Sequence, residues 1–437
     1  MMVEPTTVGI IGTLLVFVLL FAGMPIAFAM MLVGFLGMAY LTSLTAALPV
    51  VARTTYEVAA FYPYMVMPLF LVMGGFASTT GLTQEMYNTF DKWFRRLPGG
   101  LGITTVAACA GFAAVSGSSV ATAAAMGKLA YPEMKRFGYD DRLSTGCIAA
   151  GGTLGFLIPP SLGFVVYGIL TEQSIGKLLI AGVIPGLILA AAYAAIVIFW
   201  VKINRGLAPG RGEPVPWREK LRAAVNIWEP LALFILVMGG IYFGFFTPTE
   251  AGAVGATALF LIALLKRKLK WRKLVAALEE TARIAAMVQL LVIGASIFSY
   301  FLALSTIPME VATWVGGLQT SPYVIHAFIT IIFLFLGCFM DVLSMLVLTM
   351  PVIFPVIMAL GFDPIWFGVI AVLVMEAGLI TPPVGLNIFT VAGVTEGVSV
   401  ETVFRGSAPF LLAILFMMVV ITIFPGLATF LPGLMLR

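Results

Sequence analysis

Residues 378–387 read Gly-Leu-Ile-Thr-Pro-Pro-Val-Gly-Leu-Asn, inside an apolar run from Ile365 to about Gly393. A run of that length reads as a membrane-spanning helix. Pro382 and Pro383 interrupt it, because proline has no amide donor and clashes with the preceding turn. The helix is therefore expected to break at mid-membrane. Backbone left open there is tolerated only where protein buries it or where it lines a polar cavity. Thr381 and Asn387 flank the break with side-chain oxygens. Broken helices of this kind are how transporters build ion sites; the plainer reading is an ordinary proline kink.

The break has a counterpart at 151–163, Gly-Gly-Thr-Leu-Gly-Phe-Leu-Ile-Pro-Pro-Ser-Leu-Gly. Pro159-Pro160 and Pro382-Pro383 stand 223 positions apart (382 − 159 = 223). The same shift superposes Gly155 on Gly378, Asp140 on Asp363, Gly138 on Gly361, Pro132 on Pro355 and Pro25 on Pro248. The chain thus reads as two copies of one unit, with broken helices at matching places.

Composition agrees with a membrane protein. Of 437 residues, 61% are hydrophobic and 10% charged, which excludes a soluble domain and predicts an all-α polytopic membrane protein. The net charge of +4 is assigned to membrane topology and not to a nucleic-acid surface. The first apolar run, Thr7–Leu41, lacks a basic leader and a small-residue cleavage site, and is expected to be retained. Cys109, Cys147 and Cys338 read as core packers, and the single histidine, His326, cannot make a zinc site alone. No phosphate-binding Gly-x-x-x-x-Gly-Lys-Ser loop is present, which argues against ATP drive.

In chain order, spans are predicted at Thr7–Ala22, Pro25–Leu41 and Tyr62–Ser78, with 42–56 a polar connection carrying Arg53. Gln84–Leu97 is amphipathic and reads as an interfacial helix. Ile103–Val115 and Val120–Tyr131 are short and flank Ser116-Gly117-Ser118-Ser119, the pattern of a re-entrant hairpin. The broken span 143–170, a span at Leu178–Trp200 and a basic loop at 202–225 (Lys202, Arg205, Arg211, Arg218, Lys220, Arg222) complete the first unit. The second repeats the order: spans at Pro230–Phe246 and Ala251–Leu265, a basic cluster (Lys266, Arg267, Lys268, Lys270, Arg272, Lys273), a long helix through Leu304 and an interfacial piece at Met309–Leu318. A hairpin over Ile325–Met358 turning at Cys338–Ser344, the broken span and a last span at Ala408–Phe430 follow. The corresponding divisions are 1–97 with its interfacial arm, 98–201, a loop at 202–225, 226–322 and 323–437.

Lys92, Arg95 and Arg96 precede the first hairpin, and Lys135, Arg136 and Arg142 follow it, whereas 315–319 and 358–365 hold no Lys or Arg. By the positive-inside rule the first hairpin opens to the cytoplasm and the second to the other side. This makes an inverted repeat, with both termini periplasmic; a single long helix over 7–41 would move the N-terminus alone.

The hydroxyls of Ser116, Ser118 and Ser119 crowd one hairpin tip. With unwound carbonyls from Gly155 to Pro159 they suit a hard monovalent cation such as Na⁺. Asp341 and Ser344 at the second tip, with Thr381 and the carbonyls toward Gly385, make a second such site. Half-helix N-termini aim positive dipoles at the centre, which favours an anionic substrate; Ser119, Ser161, Glu376 and Asn387 are its candidate contacts. Glu376 is an intramembrane carboxylate, functional by default or a local hydrogen-bonding group; both readings stay open. Asp341, in an apolar stretch, is the stronger candidate. Glu133, Asp140 and Asp141 read as solvated, Asp363 as turn chemistry, and the small residues at 121–125 as packing.

These stretches together, Ser116-Gly117-Ser118-Ser119-Val120-Ala121, Gly151–Ser161, Pro355 to Asp363-Pro364 and Thr381-Pro382-Pro383-Val384-Gly385, resemble the large membrane subunit of tripartite ATP-independent periplasmic (TRAP) transporters over nearly the whole chain. The Thr381–Asn387 pattern is also similar to the divalent anion/sodium symporters. The resemblance implies an inverted-repeat ion-transporter-like elevator fold with two re-entrant hairpins and two broken helices, in which 1–97 and 226–322 are scaffold parts, 98–201 and 323–437 transport parts, and 202–225 a cytoplasmic loop. It implies Na⁺-driven uptake of a small organic acid across the bacterial inner membrane, with Na⁺ as coupling ion and no cofactor. The implied partners are a small four-helix membrane subunit and a soluble periplasmic substrate-binding protein. Family sodium sites map here onto Ser116–Ser119 with Gly155–Pro159, and onto Met340, Asp341 and Ser344 with Thr381, Pro382 and Gly385. Two alternatives remain: a self-sufficient dicarboxylate/sodium symporter, and an intramembrane hydrolase using Ser118 or Ser119 with Lys128 as base. A channel fits two inverted broken-helix units poorly.

Overall fold

The computed structural model describes residues 4–210, 212–268 and 271–435, apart from the side chains of Thr79 and Lys273. Arg211, Lys270 and the Lys273 side chain of the basic stretches therefore lie outside the described residues. Every regular element among the described residues is helical. The first half comprises α1 (Pro5–Phe21), α2 (Ile26–Leu41), α3 (Leu44–Ala60), α4 (Val66–Thr80), α5 (Leu82–Phe94), α6 (Gly100–Ser116), α7 (Ser119–Arg136), α8 (Asp141–Leu157), α9 (Leu162–Leu170), α10 (Ile175–Ala181) and α11 (Val183–Ile203). A connecting helix, α12 (Trp217–Asn226), leads to the second half. That half holds α13 (Trp228–Phe234), a π turn, α14 (Gly240–Tyr242), α15 (Pro248–Leu265), α16 (Trp271–Leu304), α17 (Ile307–Gly316), α18 (Pro322–Gly337), α19 (Val342–Ala359), α20 (Pro364–Gly378), α21 (Leu386–Val394), α22 (Val400–Ile423) and α23 (Gly426–Gly433). Among the described residues, five helical stretches are long and apolar enough to cross a membrane, and up to eight if each bent pair counts as one span.

The repeat is visible in the caps. α7 and α19 begin 223 residues apart (342 − 119 = 223), as do α8 and α20 (364 − 141 = 223). Ser118 and Asp341 are the matching N-caps of the hairpins: Ser118 Oγ accepts from Ala121 N at 3.4 Å, and Asp341 Oδ2 from Leu343 N and Ser344 N at 3.0 and 3.1 Å. Asp140 and Asp363 cap the broken helices, accepting from Arg142 N at 2.8 Å and Trp366 N at 2.9 Å. These aspartates, read from sequence as solvated and as turn residues, thus satisfy helix-end donors. Each follows a left-handed glycine, Gly138 (φ 77°) or Gly361 (φ 76°), which ends the preceding helix.

Packing between the halves is reciprocal. α2 lies along α16 while α15 lies along α4; α21 packs on α7 while α9 packs on α19. Small residues allow the close approach: a Cβ on Gly34 would stand 3.0 Å from Ile297, and one on Gly252 3.0 Å from Leu69. The broken helices run oppositely. Gly406 near the start of α22 abuts Arg142 at the start of α8, whereas Tyr167 near the end of α9 donates to the Pro364 carbonyl at the start of α20, at 2.7 Å.

Three readings are corrected. Residues 44–60, expected as a polar connection from Thr42 to Tyr56, are helix α3, capped by Ser43. Its Ala47, Thr54 and Val58 are buried at helical spacing, and an Arg53–Glu57 pair at 2.7 Å lies on the exposed face; that polar face reads as a loop when counted by composition alone. The basic loop contains α12, which docks on α5 through Thr89 Oγ1 to Ala223 O (3.0 Å) and Trp93 Nε1 to Lys220 O (3.2 Å). The last span stops at Ile423, before Pro425, and α23 follows separately. The run 7–41 is two helices parted at Gly23 (φ 87°), which settles the one-helix alternative.

Candidate functional site

Each hairpin tip is seated on the break of its own half. Leu162 N donates to Gly117 O at 3.3 Å, and Gly385 N donates to Cys338 O at 3.4 Å. At the first tip the sequence Ser-Gly-Ser-Ser folds tightly because Gly117 takes φ +63°, open to glycine. A Cβ on Gly117 would stand 2.8 Å from Pro160 O, and one on Gly155 2.8 Å from Ser119 N. Glycine at both places lets tip backbone and break backbone touch. Ser116 Oγ lies 2.9 Å from Thr122 Oγ1, which donates to Ser118 O at 2.8 Å. Thr122, taken from sequence as a small packing residue, thus locks the tip; its signal was a hydroxyl one helical turn beyond the cap.

The first break, Ile158–Ser161, is buried throughout. Pro159 offers no N–H to the Gly155 carbonyl. Ser161 bridges the gap: its hydroxyl donates to Phe156 O and accepts from Phe164 N (3.3 Å). Ser161 is therefore engaged with its own break. The second break differs. Pro382, Pro383 and Val384 are exposed. Thr381 Oγ1 donates to Ala377 O at 2.7 Å, and Asn387 N reaches back to Leu379 O at 3.1 Å. Met340, Asp341, Ser344 and Thr381 are half-buried around this opening. Both Pro-Pro peptide bonds are cis.

Between the halves lies a sealed polar cluster. Ser119 Oγ, on the first hairpin, donates to Glu376 Oε1, on the second broken helix, at 2.5 Å. Asn387 Nδ2 donates to Ala149 O at 3.4 Å. A Cβ on Gly152 would lie 3.1 Å from both Asn387 Nδ2 and Ser119 O, so these groups share one pocket. Ser119, Glu376 and Asn387 are 0–1% exposed. Glu376 Oε2 and Asn387 Oδ1 are buried and have no hydrogen-bond partner among the described residues. The Glu376 side chain serves no local cap and instead reaches across to the other repeat. Gly152 and Ala149, which shape the cluster, carry no functional side chain and could not be found from sequence.

His326 is buried (4% exposed) among aromatic rings, its ring 5.0 Å from that of Trp366. The three cysteines are free and buried. Among the described residues no group of three His, Cys, Asp or Glu side chains comes together.

Two antiparallel broken-helix units, each with a hairpin seated on its break and joined through buried polar side chains, define a membrane transporter. Comparison with known proteins makes this specific. The family described as "Tripartite ATP-independent periplasmic transporter, DctM component" matches residues 13–427, and the chain belongs to it. It is 37% identical to the C4-dicarboxylate TRAP transporter large permease protein DctM of Pseudomonas aeruginosa, over 86% of this chain and 88% of that one. It is 32% identical to the sialic acid TRAP transporter large permease protein SiaM of Vibrio cholerae, over 96% and 97%. In fold it is similar to the YdaH transporter of Alcanivorax borkumensis, with a TM-score of 0.67, 14% identity and coverage of 88% and 89%. The chain is thus an inner-membrane transport component and not an enzyme; in this family the large permease works with a small membrane subunit and a periplasmic binding protein. The hydrolase alternative falls with it. The Ser119 hydroxyl is engaged by a carboxylate, and exposed Lys128 lies nine residues along α7 (128 − 119 = 9), about 13 Å away at 1.5 Å per residue.

Proposed function

We propose that this chain is the large transmembrane subunit of a Na⁺-gradient-driven system for uptake of a small organic acid, working by elevator alternating access with a four-helix membrane subunit and a periplasmic binding protein. The observation that carries the reading is the twin seating of hairpin tips on breaks, Leu162 N on Gly117 O and Gly385 N on Cys338 O. One sodium site is assigned to Ser116, Ser118 and Ser119 with the Gly155 and Pro159 carbonyls. The other is assigned to Met340, Asp341 and Ser344 with Thr381, Pro382 and Gly385. Asp341 spends one carboxylate oxygen on its helix cap and keeps the other for a cation. The relatives named for C4-dicarboxylates and sialic acid support a carboxylate-bearing substrate.

The open second break is where substrate is expected to dock, its negative charge facing the half-helix N-terminus at Gly385. Ser119, Glu376, Asn387 and Ser161 reach substrate only if the sealed centre opens. The hairpins are re-entrant in this reading. They and the broken helices move as one body against scaffold helices α2, α4, α15 and α16.

The test is reconstitution. In liposomes with an inward Na⁺ gradient, the chain alone is expected to take up little C4-dicarboxylate, and adding the small subunit and a loaded binding protein restores uptake. Robust uptake by the lone chain would instead establish a self-sufficient symporter. Uptake by the full assembly that ignores the Na⁺ gradient would remove sodium coupling.

A further inference from the structure

A cavity of about 510 Å³ lies on the seam between α5 and α13 on one side and α6 and α11 on the other. Every side chain lining it is apolar. Its inner end reaches Ile158 of the first break and Ala114 near the first hairpin tip; its outer end is marked by Leu97, Ile103 and Ile198. On α11, Ala190, Ala191, Ala194 and Ile198 line it at helical spacing, and Lys202 continues that face one turn further. On the opposite wall, Arg96 immediately precedes Leu97. The turn holding Arg96 rests on the same end of α11: a Cβ on Gly99 would stand 2.7 Å from Val197 and 3.0 Å from Val201. Arg96 and Lys202 are both exposed. Arg95 beside them is paired with Asp91, whereas Arg96 and Lys202 have no ion-pair or hydrogen-bond partner among the described residues.

We propose that this groove binds an anionic phospholipid, one acyl chain lying between α5 and α13 on one side and α6 and α11 on the other, toward the first break, and the phosphate held between Arg96 and Lys202. A water-soluble ligand has nothing polar to bind in such a channel, and the walls belong to a protein whose surroundings are lipid. Two unpaired cations at the end of an apolar groove between membrane helices select an anionic over a zwitterionic headgroup. The groove parts the expected scaffold from the expected transport part, so a fluid chain there separates surfaces that otherwise pack solidly. Lipid composition then sets how readily they slide. The lipid site itself requires only that the chain is a membrane protein and is independent of sodium coupling; its effect on sliding rests on the proposed elevator motion.

The test uses the assembled transporter released from vesicles of equal phosphatidylglycerol and phosphatidylethanolamine, with retained lipid counted by native mass spectrometry. The parent is expected to retain phosphatidylglycerol preferentially. Arg96→Gln and Lys202→Gln are each expected to lower that preference about fivefold, the effect of one cation near an anionic headgroup. Ala190→Phe, which fills the groove, is expected to abolish retention and to make uptake indifferent to phosphatidylglycerol. Equal retention of both lipids by the parent, or retention unchanged in all three variants, overturns the proposal. A cysteine at Ala191 that crosslinks to the small subunit while no phosphatidylglycerol is retained also overturns it, giving the groove to a protein partner.

Discussion

At the scale of single residues, the side chains that matter are those whose hydrogen bonds are incomplete. Thr381 donates its hydroxyl to Ala377 O, which leaves the oxygen lone pairs free for a cation. Thr381→Val keeps the shape and removes that oxygen, a loss of about 1–3 kcal/mol if nothing replaces it. The half-saturating sodium concentration is expected to rise roughly five- to more than a hundredfold, with Thr381→Ser much milder. Sodium titration of uptake by the reconstituted complex checks this; unchanged titrations for both variants would place the site elsewhere. Glu376→Gln offers a cleaner separation of charge from fold. Glutamine still accepts from Ser119 and brings a donor of its own, so thermal stability should match the parent while uptake is lost. Uptake at the parental rate would show that the carboxylate charge has no role.

At the scale of elements, contacts between helices are made where side chains are smallest or where buried charges pair. Gly155 permits the first hairpin tip to sit on its break, and the atoms a Cβ would meet are backbone, which cannot turn aside. Gly155→Ala should therefore lift the tip, and sodium-dependent uptake should fall about five- to a hundredfold, the equivalent of the 1–3 kcal/mol typical of overpacking. A normal sodium titration would show the seating to be dispensable. At the basic end, Lys266 joins the buried Glu229 at 2.7 Å and Glu85 at 3.3 Å, tying α15 to α13 and α5. Lys266→Met strands Glu229. The expected loss is about 2–3 kcal/mol, at the lower end for a broken buried pair because Lys266 is partly exposed. It would be read as a lowered melting temperature that Glu229→Gln in the same chain largely restores.

At the scale of the whole molecule, basic stretches far apart in sequence gather at one end. Lys266 and Lys268 meet Glu85 of α5, α12 docks on α5, and Asp140 N bonds Leu207 O beside the open end of the first hairpin. This end is expected to be cytoplasmic. A cysteine at Lys135 should be labelled only from that side, and one at its repeat partner Met358 (358 − 135 = 223) only from the periplasm. Labelling of both from one side would contradict the inverted arrangement. Both positions are exposed, so access depends on topology and not on burial.

The sequence by itself determined much of this architecture. Proline pairs stop helices wherever they stand, and a 223-residue shift brings caps, left-handed glycines and breaks into register because each is a local backbone requirement. Both hairpins, both broken helices and the long α16 were legible for that reason. Helix α3 was not: its stabilising face is apolar only toward α2 and α16, and which neighbours a helix finds is not written in its own residues. The candidate site divided in the same way. The tips and breaks could be named from Ser116 to Ser119 and from Thr381 to Gly385. Only the tertiary structure buried the first break, left the second open and joined Ser119 to Glu376 across 257 positions (376 − 119 = 257). A hydrogen bond between two repeats depends on how their helices interlock, and interlocking is a property of packed surfaces, to which Gly152 contributes by having no side chain.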